Sequence, residues 1–121
     1  MSMIERLDEV KINLDRYRYN DLIQVGTPCR AKRTTGVCDK GEIGVCYEVY
    51  RPSPADPELK SFSFIFKNGG YDGFSSQDID LILLLEPRVI QSIADYEFKN
   101  VTILNQDHRA GVFDAAWSNR G

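Results

Sequence analysis

Histidine is almost missing from this chain, cysteine is sparse, and no apolar run is long. The single histidine, His108, stands beside Asp107, and the three cysteines, Cys29, Cys38 and Cys46, all lie more than sixty residues before it. A Cys–His nucleophile pair therefore has no support in local sequence, and His108 reads as a solvated turn residue. The cysteine spacings lack the paired knuckle that closes around zinc, so no metal is expected. An odd count with irregular spacing also argues against a disulfide framework and favours free thiols in a reducing cytoplasm. No stretch approaches the roughly 20 apolar residues that span a bilayer. The first residues carry Glu5, Asp8 and Glu9 without an apolar core, which does not read as a targeting segment.

A basic excess is lacking too. Net charge is −3. Residues 1–24 hold five acids against four bases, residues 25–85 eight against seven, and the remainder five against four. No segment forms the positive stripe of a nucleic-acid binder, and the chain is not acidic enough to mimic a phosphate backbone.

What is present suits one globular domain. A chain of 121 residues can bury roughly two-thirds of its unfolded surface, enough for a core without staples. A hydrophobic share of 42% and a charged share of 27% lie near globular averages, which argues against wholesale disorder. No internal repeat or low-complexity segment interrupts it.

Ser2-Met3-Ile4-Glu5 matches a capping box. Ile4, Leu7, Val10, Leu14 and Tyr17 then recur at helical spacing, predicting a helix over residues 3–18 within an N-terminal unit of 1–24. Val10, Ile12 and Leu14 also alternate, so a strand is the rival reading of the second half. Four segments, 27–33, 43–50, 61–67 and 79–85, have strand composition. Cys29 and Ala31 are expected inside the first, with Arg30 and Lys32 wet. In the second, Ile43, Val45, Tyr47 and Val49 form the expected core face, opposite Cys46. Phe62, Phe64 and Phe66 share one face of the third, also core.

The link 51–60 carries three of the five prolines and reads as an exposed loop. Pro54 and Pro57 within it stiffen the loop rather than form a polyproline ligand. Asn68-Gly69-Gly70 is a tight turn, and neither it nor Asp39-Lys40-Gly41 has the spacing of a phosphate-cradling loop. Residues 71–74 offer a short extra strand, and Ser75-Ser76-Gln77-Asp78 a capped helical turn. Asp72, Asp78 and Asp80 do not follow the calcium-loop pattern. After Pro87, residues 88–96 have helical spacing. The tail is open between β-forming Val101, Thr102 and Ile103 paired with residues 109–113 and some other arrangement. In either case Phe98, Leu104, Val112, Phe113 and Trp117 must fold back on the barrel or meet another chain.

The sequence of strand, irregular loop, glycine turn, long strand, loop, aromatic strand, glycine turn and helical turn before a last strand resembles the SH3-like barrel. Lys40-Gly41-Glu42-Ile43-Gly44-Val45 is similar to the turn-into-strand segment of KOW-type modules. The resemblance covers residues 25–86 and implies a mainly β (α+β) fold: an SH3-like small barrel, an N-terminal helix, and a C-terminal extension over 87–121. It also implies a habit of binding peptides, nucleic acids or a larger subunit, without naming a ligand.

The functional expectation is a non-enzymatic module that engages another protein. Its expected surface comprises Arg30, Lys32, Tyr50, Arg51, Tyr71 and Phe74, with a shallow aromatic patch at Tyr50, Tyr71 and Phe74. No catalytic residue and no cofactor is expected. A KOW-like nucleic-acid module and an accessory subunit of an enzyme are the alternatives. The apolar helix face and tail are the surfaces expected to support self-association into a homo-oligomer.

Overall fold

The structure is a computed structural model that describes residues 17–118. The capping box and nearly all of the helix expected over 3–18 lie outside the described residues. Residues 17–22 form turns. Five strands follow: β1 (Pro28–Ala31), β2 (Ile43–Tyr50), β3 (Ser61–Phe66), β4 (Tyr71–Ser75) and β5 (Leu83–Leu85). They make one antiparallel sheet in the order β4-β3-β2-β1-β5, curled into a half-barrel. Four short helices complete the described part: α1 (Ser76–Ile82), α2 (Gln91–Ala94), α3 (Val101–Arg109) and α4 (Asp114–Trp117). None of the described helices is long and apolar enough to cross a membrane.

The sheet buries both faces, because apolar residues occupy both parities of its central strands. On the concave side Phe62, Phe64 and Phe66 pack with Cys29, Ala31, Cys46, Phe74, Ile79 and Leu83. On the convex side Val45, Tyr47 and Ile65 are covered by the C-terminal extension, through Ile90, Ile93, Leu104, Phe113 and Ala116. All six residues of β3 are buried, the pattern of a strand covered front and back.

This arrangement corrects the expected core face of β2. The register shifts between Cys46 and Glu48, where Cys46 pairs with Phe64 and Glu48 with Ser63. Tyr47 is the extra residue of a β-bulge, and a bulge resets the alternation of side chains. Before it, Cys46 faces inward and is fully buried. After it, Val49 packs against the same core as the phenylalanines. Val45 and Tyr47 sit on the other face, under the extension.

The expected strand over 79–85 is half helix. Ile79 and Leu83 are buried four positions apart, while Asp80 and Leu81 between them are exposed, a helical periodicity. Ser75 precedes α1, and its hydroxyl donates to Asp78 at 3.1 Å. The strand begins only at Leu83. The helix expected over 88–96 shrinks to the single turn of α2. The hairpin reading of the tail is also wrong: Val101, Thr102 and Ile103 open α3. Asn100 caps it, accepting from the Ile103 amide at 2.9 Å, and this cap overrides the β-preference of the next three residues.

The extension is pinned to the sheet at two ends. Gly26, with φ of +98°, donates to the Cys46 carbonyl and accepts from the Ile90 amide at 3.0 Å. A Cβ there would stand 2.9 Å from the Ile90 carbonyl oxygen, so only glycine lets the two segments approach. At the other end His108 Nε2 lies 3.1 Å from the Lys67 carbonyl, which can only accept, so the ring donates. His108 thus fastens α3 to the turn between β3 and β4.

Candidate functional site

The turn at residues 17–23 is held from two sides. Tyr17 donates its hydroxyl to Asp56 at 2.8 Å, and Lys60 reaches the Asn20 carbonyl at 3.1 Å, so the proline-rich loop grips one flank. On the other flank Asp80 of α1 gathers three partners. It accepts from the Tyr19 hydroxyl, from Arg18 at 3.2 Å, and through its backbone carbonyl from Lys32. Tyr19 and Ile23 are buried in the concave core. Burial, followed by the Asp80 hydrogen bond, pushes the Tyr19 hydroxyl up to about 12. Its neutral form is the one held in place.

Between this turn and β5 opens a cleft of about 380 Å³. It is bordered by Arg18, Tyr19 and Leu22, by Thr27, Lys32 and Asp80, and by every residue from 83 to 87. Leu22 is 64% exposed and Leu84 58% exposed, which makes them the two apolar side chains at the cleft with most to gain from cover. Some of its ions are paired within the chain. Arg18 pairs with the Asp80 carboxylate, whereas the Lys32 ammonium reaches only the Asp80 backbone carbonyl. Glu86 accepts from Arg88 at 2.7 Å and lies 4.0 Å from Arg30.

The six residues expected to form the surface are dispersed. Arg30, within β1, and Lys32, just after it, are exposed, and Lys32 lines the cleft. Tyr50 and Tyr71 are half-buried on the convex face. Tyr71 packs into the core beneath the extension. Tyr50 lies across Gly73, where a Cβ would stand 2.5 Å from its hydroxyl. Arg51 is exposed at the start of the loop. Phe74 is no surface residue: it is 4% exposed and meets Phe64 edge-on at 6.0 Å. Alternation in β4 sends Phe74 to the concave core, so the expected patch of Tyr50, Tyr71 and Phe74 does not form on one surface.

Sequence reading missed Arg18, Tyr19, Leu22, Asp80 and Leu84. One signal was available. In the run Leu83-Leu84-Leu85 an extended backbone must turn at least one leucine away from the core. The others depend on the turn at 17–23 folding against α1, which no local pattern encodes.

The three cysteines are free and buried. Burial pushes the Cys29 thiol well above its ordinary range and the Cys46 thiol up to about 12, the opposite of an activated nucleophile. Among the described residues no group of three His, Cys, Asp or Glu side chains is placed to hold a metal ion. Neither a protein-family model, nor a curated protein, nor a solved structure matches the chain, which leaves the geometry of the cleft to carry the functional reading.

Proposed function

We propose that this chain is a non-enzymatic binding module that engages another protein through the cleft beside β5. The strand order, with α1 leading into a last strand that pairs with β1, supports the SH3-like reading of the barrel. The observation that carries the functional reading is the pair of exposed leucines, Leu22 and Leu84, at the border of a concave site. Fully burying a leucine contributes about 1.5–3 kcal/mol, and covering the remaining exposed part of these two contributes roughly 1–2 kcal/mol each, which favours an apolar partner surface.

The nucleic-acid alternative loses support at the same place. Arg18 pairs with Asp80 and Arg88 with Glu86, so the basic residues there are interrupted by carboxylates and do not form a continuous positive stripe.

Capture of a partner from the native source tests the reading. The immobilised chain and its Tyr50→Ala variant retain the partner, whereas Leu84→Glu, still folded by circular dichroism, loses it. Undiminished capture by folded Leu84→Glu would contradict the assignment to the cleft. Salt titration against single-stranded RNA and DNA gives no binding that weakens with salt; a steep slope would favour the nucleic-acid reading.

A further inference from the structure

The backbone of β5 has one edge that the sheet does not use. Lys32 donates to the Ile82 carbonyl at 2.7 Å, and Glu86 donates to the Pro28 carbonyl at 3.0 Å. With Arg30 opposite Leu84 in register, the amides and carbonyls of residues 82, 84 and 86 are the ones turned toward β1. Those of Leu83 and Leu85 therefore point the other way. Leu83 N–H is taken by the Ile79 carbonyl. Among the described residues, the Leu83 carbonyl and both backbone groups of Leu85 have no partner. The cleft touches five consecutive residues, 83–87. Consecutive strand residues face opposite sides of a sheet, so a cavity that meets all of them runs along the strand's edge.

We infer that the cleft takes an extended segment of the partner protein as a sixth strand, antiparallel to β5. The inference rests on the binding reading above and adds its mode. One residue of the incoming segment exchanges two hydrogen bonds with Leu85, and a second donates to the Leu83 carbonyl. Pro87 has no amide and ends the pairing, so the paired stretch is short, about four residues at ~3.3 Å rise each. One alternate set of the segment's side chains lies beside Leu84 on the same face of the sheet, which calls for a strand with apolar residues at alternate positions and no proline between them. A second copy of this chain fits less well. Its own β5 offers few donors, because the Leu83 N–H is taken by the Ile79 carbonyl and Pro87 has none.

The probe is a capped heptapeptide, Lys-Thr-Val-Thr-Val-Thr-Lys, titrated into the full chain while the Leu85 amide is followed by NMR. It is compared with two versions N-methylated at one or the other alternate set of residues. Strand addition uses the amides of one peptide edge only. Methylation of one set should weaken binding about tenfold and that of the other should not, as expected for the loss of one or two hydrogen bonds. Equal binding by both methylated peptides would overturn strand addition and leave the cleft as a side-chain site. A silent Leu85 amide at millimolar peptide would also overturn it, whatever the capture experiment gives. Leu85 shifts that follow chain concentration without peptide, with dimerisation by light scattering, would replace the partner segment by a second copy and overturn the inference as stated.

Discussion

Tyr19, Arg18 and Asp80 form a small contest between kinds of interaction. The Arg18–Asp80 pair is half exposed on both sides, so solvent screening holds it to about 0–1 kcal/mol. Tyr19 as a residue is 6% exposed, its hydroxyl bond to Asp80 is part-buried, and a hydrogen bond to a charged acceptor contributes about 1.5–3 kcal/mol. Tyr19→Phe should therefore cost about 1–2 kcal/mol in urea unfolding and Arg18→Ala less than about 1. The sign of the pH dependence follows from the raised pKa. Unfolded Tyr19 titrates near its ordinary value of 10.0, the folded residue near 12, so its contribution is whole below pH 10 and is lost as pH rises toward 12. The stability gap between the parent and Tyr19→Phe should narrow over that interval. At the thiols, Cys29 and Cys46 should resist a disulfide reagent at neutral pH and react only after unfolding. Fast labelling of either in the folded chain would contradict their burial.

At the scale of elements, the extension is part of the fold, since it covers the convex face of the sheet. Phe113 is fully buried there and packs edge-on against Tyr96 at 4.9 Å. Phe113→Ala should cost about 3–5 kcal/mol, read from the urea midpoint. Much of this level was legible. Ile43–Tyr50 was anticipated to the residue, and the strict alternation of Phe62, Phe64 and Phe66 predicted their burial. Errors arose where a three-dimensional choice overrode a local pattern. Val45 and Tyr47 share a buried face as expected, but the bulge at Tyr47 sends Val49 to the other face, and no residue in that run announces it. Ile79 and Leu83 fit either a strand or a helix by composition, and the helix is chosen because it brings both into the concave core. The Asn100 cap was readable but stood before three β-formers. Of the expected site, only Lys32 lines the cleft. Tyr71 and Phe74 are aromatic because the two cores need them.

For the whole molecule, a sheet covered on both faces leaves little surface free for a partner except its edges. The β5 edge is distinguished from β4 by the cleft, by Leu22 and Leu84, and by the backbone groups of Leu83 and Leu85 that β1 does not use. Hydrogen exchange of the chain with and without its captured partner tests that distinction directly. Protection is predicted to appear at residues 83–87 and in the turn at 17–23, with the Tyr50 and Tyr71 region unchanged. Protection confined to Tyr50, Arg51 and Tyr71, with the β5 amides exchanging as before, would contradict it.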